Sequence, residues 1–110
     1  MTINFKNIEA KDIPSFKGGE GSFHVNMFSD DKNKIMRGRL VPGSSIGYHQ
    51  HVGNAEYIFI LQGSPKVIFD GVEERLEPGV CSFCPEGHSH SLINDTNEDV
   101  EFFAVVPELR

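Results

Sequence analysis

Tryptophan is absent, and the 110 residues hold only two cysteines, two tyrosines and 10 Lys plus Arg against 16 Asp plus Glu. Each scarcity excludes something. A formal net charge of -6 argues against a nucleic-acid partner, whose affinity rests on Lys and Arg neutralising phosphates. It argues equally against docking on anionic lipid. No apolar run approaches the ~20 residues that a membrane helix needs. Residues 1–11 lack the basic-then-apolar pattern of a secretory signal, and two cysteines do not make a disulfide scaffold. A cytoplasmic protein with no membrane and no nucleic-acid partner is expected. At 38 % hydrophobic residues the composition is that of a globular chain, and the length supports one domain with one core.

Helical periodicity is missing as well. No stretch of three turns carries apolar residues at i, i+3, i+4 and i+7. Short apolar runs are cut instead by Gly, Pro, Asn and Asp, which is the pattern of an all-β sandwich or barrel. The runs predict strands over 23–28, 34–41, 48–51, 56–61, 66–69, 72–76, 80–84, 88–93 and 100–106. Asp70-Gly71 between Phe69 and Val72 predicts a two-residue hairpin turn. The segment after it is mostly polar and reads as an edge strand. Residues 1–22 read as an arm or edge strands, and 23–110 as the barrel. The strand 100–106 is apolar on both faces, with Phe102, Ala104 and Val106 alternating with Phe103 and Val105. A wall facing water alternates apolar with polar, so the outer face needs cover, either from the arm or from a second subunit.

His49 and His51 are two apart, so on a strand they share a face. Glu56 follows after a short turn, and His90 sits beside a second Pro/Gly turn. Three imidazoles and a carboxylate form a donor set for a divalent transition metal. Any one of the five histidines could equally be a surface or hydrogen-bonded residue. The flanking residues bear on that choice. Gly43, His49, His51, Glu56 and Gly63 fit the pattern G-x5-H-x-H-x3,4-E-x6-G. Gly79, Pro85, Gly87, His90 and Asn94 fit G-x5-P-x-G-x2-H-x3-N. These segments resemble the two signature motifs of the cupin superfamily. The resemblance implies a double-stranded β-helix, or jelly-roll, barrel of cupin type with a metal in its mouth. It implies His49, His51, Glu56 and His90 as the ligands, with Asn94 and the glycines structural. The lead-in from Phe16 to Gly21 is similar to small single-domain cupins labelled oxalate-decarboxylase-like.

Other residues carry two readings each. Cys81 and Cys84 form a C-x-x-C, but on a strand they point to opposite faces, so structural burial is expected. His88 could aim inward with His90 as a proton carrier, unless the Pro85 turn breaks the alternation. Arg37 and Arg39 could grip a carboxylate, or lie on a solvated outer face with Met36 and Leu40 inside. His88 and Arg39 are the candidates for a catalytic role. His24 is a weaker candidate for the pocket. Tyr48 and Tyr57 fall on the parity opposite to the ligands and predict wall or interface packing. Ile58, Ile60 and Leu92 share the ligands' parity and predict the apolar lining.

Four protein ligands on an octahedral ion leave about two open positions. These suit a small oxygen-rich metabolite such as a carboxylate, diketone or sugar-like enediol. The expected function is a metal-dependent enzyme, an oxygenase or decarboxylase, or an isomerase or lyase. The alternative is a non-catalytic small-molecule-binding or sensing module. The ion could be Mn, Fe, Zn, Ni, Co or Cu. A homodimer is expected from the doubly apolar strand and the apolar residues of the arm, and small single-domain cupins commonly pair sheet against sheet.

Overall fold

Ten strands fill the spaces between the Gly and Pro turns, and no α-helix forms. The computed structural model describes residues 1–110. The strands are β1 (Lys11–Pro14), β2 (Ser22–Ser29), β3 (Asn33–Leu40), β4 (Ser45–Gln50), β5 (Glu56–Gln62), β6 (Lys66–Phe69), β7 (Val72–Arg75), β8 (Cys81–Cys84), β9 (Ser89–Ile93) and β10 (Val100–Pro107). Two 3-10 turns, Phe5–Asn7 and Phe16–Gly18, complete the list of regular elements. The strands make a six-stranded sheet, β1-β2-β3-β10-β5-β8, and a four-stranded sheet, β4-β9-β6-β7. Every pairing is antiparallel. The two sheets close face to face as a jelly-roll barrel. No helix is long and apolar enough to cross a membrane.

Side-chain alternation decides what lies between the sheets. Met36 and Leu40 of β3, Ile58 and Ile60 of β5, and Phe102 and Ala104 of β10 point inward and are buried. Ile46, Val67 and Leu92 meet them from the other sheet. The rings of Phe23 and Phe102 stack at 5.8 Å with planes 9° apart. Gly38 makes room for them, because a Cβ there would lie 2.4 Å from the Phe102 ring.

The hairpin at Asp70-Gly71 forms as expected, with φ of 47° and 81°, the left-handed pair that a type I′ turn requires. The β7 strand that follows is exposed at every residue. Its Glu73 and Glu74 put charge on the free edge of the smaller sheet, which disfavours pairing with other chains.

The outer face of β10 is partly covered by the chain itself. Phe5 of the arm meets Phe103 edge-on at 5.2 Å, and the Arg37 guanidinium lies 5.4 Å from the same ring. The cover stops there. On the adjoining strands Tyr57, Phe59, Leu61 and Phe83 are 38–45 % exposed, and the Tyr57 and Phe83 rings stack at 4.4 Å. The expected burial of the two cysteines holds only for Cys84, since Cys81 is exposed. Alternation sends the two thiols to opposite faces, and β8 is an edge strand with nothing over its outer side.

The arm is more ordered than its sequence suggests. β1 pairs with β2 from Lys11↔Val25 to Pro14↔Ser22. The chain then turns through Ser15 and Lys17, both left-handed at φ 50° and 56°. It next runs against β4 so closely that no side chain fits between them. A Cβ on Gly19 would lie 2.1 Å from the Ser45 carbonyl oxygen, and one on Gly47 would lie 2.1 Å from that of Lys17. The Ser45 N–H donates to the Glu20 carbonyl at 2.9 Å, and the Ser45 hydroxyl accepts from the Glu20 N–H at 2.9 Å.

Candidate metal centre

Three strands and one loop bring the four expected donors together. His49 lies in β4, Glu56 opens β5 and His90 lies in β9, directly paired with His49. His51 falls just past the end of β4, yet its ring still faces the group. The loop that carries His51 to Glu56 is held from three sides. The Gly53 N–H donates to Glu86 at 2.8 Å. The Leu109 N–H donates to the Gly53 carbonyl at 3.0 Å, and the Gly87 N–H to the His51 carbonyl at 2.7 Å. Arg110 forms an ion pair with the same Glu86. Donors fixed on strands and a tied loop satisfy what a metal site asks of its supports.

The donor atoms of His49, His51, Glu56 and His90 all lie within 4.8 Å of one another, and three of these residues are buried. His51 Nε2 is 3.0 Å from His90 Nε2 and 3.2 Å from Glu56 Oε1. His90 Nε2 is 2.9 Å from the same oxygen. The ring nitrogens on the other side explain the tautomers. His49 Nδ1 donates to the Gly47 carbonyl at 2.7 Å, and His51 Nδ1 to Asn54 Oδ1 at 2.7 Å. A carbonyl acceptor requires the proton on Nδ1, so both Nε2 atoms present lone pairs inward. Two such lone pairs and a carboxylate in one buried space repel each other unless a cation sits among them. The donor set therefore fits a transition-metal ion. His90 departs from the usual arrangement, since its buried Nδ1 has no partner.

Without a metal, protons serve as the cation. Burial alone would push the Glu56 carboxyl up, but the imidazoles of His51 and His90 hold it down at about 2. The Glu56 carboxylate raises His51, against the opposing effect of burial. His49 moves the other way, lowered chiefly by burial. Glu56 therefore stays ionised well below neutral pH, and the imidazoles are the groups at which protons compete with metal. Because His51 binds its proton more tightly than a free imidazole does, competition begins at or above the free pKa of ~6.5. Dialysis at about pH 4.5 is expected to strip the metal while circular dichroism shows the barrel intact. Metal retained at that pH by folded protein would count against histidine ligation.

Above the donors lies a cavity of about 360 Å³. Phe16, Met27, Met36, Phe102 and Val106 contribute its apolar wall, and Lys17 and Lys34 its basic part. Ile58, Ile60 and Leu92, expected as the lining, are buried deeper in the core instead. Neither catalytic candidate lines this cavity. Arg39 lies on the outer face beside Asp99 at 3.4 Å, because β3 turns Met36, Gly38 and Leu40 inward and its arginines outward. His88 precedes β9, where alternation does not yet hold, and it forms an ion pair with Asp70 and stacks on Phe69. His24 is paired with Asp12 on the outer side. A second cleft, of about 400 Å³, lies between the arm and the outer face of β2 and β3 and is lined by Arg37, Arg39 and His24. It contains none of the four donors, and the Arg37 guanidinium in it is bound to Glu101 at 2.7 Å.

Asn94 holds the structural position expected of it. Its amide donates to the Leu40 and Glu98 carbonyls, both at 2.8 Å, and its oxygen accepts from the Thr96 hydroxyl at 2.7 Å. The residues not anticipated at the site are Lys17 and Lys34. Lys34 shares the inward parity of Met36 and Leu40, which is legible once that face is known. Nothing in the sequence places Lys17, whose position depends on the left-handed turn.

A two-sheet jelly roll with His49, His51 and Glu56 lining a cavity and His90 against them defines the class. The family model for the cupin domain matches residues 36–106, and the chain belongs to the cupin family. It is 33 % identical over 112 residues to a protein of Thermotoga maritima named oxalate-binding protein, covering 96 % of this chain and 93 % of the relative. A crystal structure from the same organism, described as that of a predicted oxalate decarboxylase, superposes with a TM-score of 0.93. It is 30 % identical and covers 99 % of this chain and 100 % of that one. The structure of KdgF from a Halomonas species shares the fold, with a TM-score of 0.79 at 17 % identity over 98 % of this chain and 92 % of that one.

Proposed function

We propose that this cupin holds one divalent transition-metal ion through His49, His51, Glu56 and His90, and that it is an enzyme acting on a small, oxygen-rich carboxylate at that ion. The observation that carries the reading is the convergence of the His51 and His90 Nε2 atoms and the Glu56 carboxylate within 3.2 Å of one another, with a donor atom of His49 no more than 4.8 Å from any of them. Four protein ligands leave room for a chelating ligand from the cavity side. Bound there, the ion would supply Lewis-acid polarisation of the ligand's oxygens and a template for its orientation. The chain's own residues do the rest. The apolar wall excludes water, the tied loop fixes His51 and Glu56, and Lys17 and Lys34 offer positive charge at the cavity. The name of the Thermotoga maritima relative supports a carboxylate ligand.

A non-catalytic binding module is the second reading. It is favoured by the cavity lining, which holds no carboxylate and no histidine outside the four donors, so no such group is at hand as a general acid or base. Elemental analysis of the purified protein, followed by a turnover screen of small carboxylates with the ion found, separates the two. Tight binding without turnover across the screen would sink the enzyme reading. The two free thiols fit a reducing compartment, the cytoplasm.

We also propose a homodimer through the uncovered outer face of β5 and β8. Full burial of a large apolar side chain is worth roughly 1.5–3 kcal/mol, and a twofold interface counts Tyr57, Phe59, Leu61 and Phe83 twice. Even partial burial of these eight side chains meets an association cost of ~4–15 kcal/mol. Light scattering at low micromolar concentration is expected to give twice the chain mass, and Phe59→Asp/Phe83→Asp the single mass. A monomeric unsubstituted chain would end the idea.

A further inference from the structure

The cavity over the donor group reverses the charge of the chain around it. The chain carries -6, yet the residues lining the cavity include two lysines and a single carboxylate, Glu56. That carboxylate is committed to the histidines, at 3.2 Å from His51 Nε2 and 2.9 Å from His90 Nε2. All four arginines and one lysine are paired with acids, as in Arg37 with Glu101, Arg39 with Asp99, Arg75 with Asp95, Arg110 with Glu86 and Lys66 with Glu73. Of the five lysines without an ion pair, Lys17 and Lys34 are the two that line this cavity. The Lys17 ammonium lies 5.6 Å from the centroid of its neighbour Phe16, and its charge is felt at His51.

Lys17 is also held where an ordinary residue does not readily sit. Its φ of 56° is the left-handed region, which side-chain-bearing residues enter at a cost and which is found where the surroundings dictate it. Here the dictation comes from the backbone contact between Gly19 and Gly47 and from the Ser45–Glu20 hydrogen bonds. Lys34 reaches the same cavity from β3, on the parity of Met36. Two separate segments thus each bring a lysine to the wall of a space already lined by His49, His51 and Glu56.

The volume indicates what these charges are for. About 360 Å³ has room for roughly a dozen waters at ~30 Å³ each, more than a two-carbon chelating group fills. We infer that Lys17 and Lys34 form an anion-binding rim, and that the site takes a ligand with a second negative group beyond its chelating end. This rests on the reading of His49, His51, Glu56 and His90 as a metal centre. The ligand class is a dianion with an apolar or short alkyl middle: one end reaches the donors, the middle lies along Phe16, Met36 and Phe102, and the far carboxylate sits between the ammonium groups. A lysine ammonium meets such a group as a point charge with several donors and without demanding one geometry.

The probes are 2-oxoglutarate and 2-oxopentanoate, which share the chelating end and differ in the far carboxylate. Calorimetric titration of the metal-replete protein is expected to show about tenfold tighter binding of 2-oxoglutarate, as one charge-assisted contact in a half-enclosed site gives. Raised salt should shrink that ratio. Lys17→Met/Lys34→Met should bring it to about one, with metal content unchanged. Lys17→Arg/Lys34→Arg should keep it. A ratio near one in the unsubstituted protein, or a ratio that survives Lys17→Met/Lys34→Met, overturns the inference. The ratio in the unsubstituted protein and its salt dependence need no variant to fold. Elemental analysis of the same sample reads the metal centre separately. A protein without metal defeats the reading of the donors, while the ratio still decides the lysines.

Discussion

His51→Ala/His90→Ala protein is expected to fold and to carry metal only at background level, where the unsubstituted chain carries it near stoichiometry. Two of the four donors are lost, and the survivors, His49 and Glu56, stand on different sheets. The fold should persist because neither histidine belongs to the hydrophobic core cluster of 14 residues. Glu56, deprived of both imidazoles that hold its carboxyl at about 2, is left to burial, which pushes the carboxyl up until it takes a proton. A second readout separates metal loss from general damage. An ion that binds only the folded chain stabilises it by ~2.7 kcal/mol at one hundred times its Kd. A chelator should therefore lower the melting temperature of the unsubstituted protein and leave the variant where it was. Near-stoichiometric metal in a folded double variant would refute the ligand assignment.

Phe102→Ala should cost more stability than any surface change, about 3–5 kcal/mol. The ring is 1 % exposed and stacks on Phe23 at 5.8 Å. It fills the space that Gly38 leaves open, with the Cβ position of that glycine 2.4 Å from the ring. Removing the ring opens a void between the sheets that β3 cannot fill, since the facing residue has no side chain to lend. For a domain near this size the loss corresponds to a fall of roughly 12–20 °C in melting temperature. Gly38→Ala placed in the Phe102→Ala background should not recover it, because the added methyl would still lie 2.7 Å from the Phe23 ring. Thermal unfolding of the three proteins checks this, and an unchanged midpoint for Phe102→Ala would show that the core is misdescribed.

The strands were legible because turn residues cut them at short intervals. Residues 66–69 coincide with β6, which is bounded by Pro65 and the Asp70-Gly71 turn. The strand expected at 48–51 begins three residues earlier, at Ser45, because Ser45 and Ile46 pair with Ile93 and Leu92 of β9. Residues 1–22 read as an arm or edge strands, but the bounds of β1 were not legible, for a similar reason. Nothing in Lys11-Asp12-Ile13-Pro14 has strand periodicity, and the segment is extended because β2 pairs with it. The four candidate donors were legible because both spacings match a known pattern and the His pair shares a strand face. Lys17 was not, because a left-handed turn and two glycine contacts place it, and these are tertiary facts. Cys81 shows the limit of parity arguments: alternation gave the face correctly, but whether that face is covered depends on β8 being an edge.

The reciprocal contact of Gly19 with Gly47 also constrains how this sequence can diverge. Each position forbids a side chain only while the other strand is present, since the clashing atoms are the backbone oxygens of Ser45 and Lys17. No repacking relieves a clash with main chain, so the two sites, 28 residues apart, drift together or not at all. A descendant that acquires even alanine at either must reroute the arm. It would then give up Phe16 and Lys17 at the cavity in one step, while His49, His51, Glu56 and His90 remain where they are. The aromatic and basic lining that Phe16 and Lys17 give the cavity can therefore be lost from this barrel through a single methyl group that touches none of the four donors.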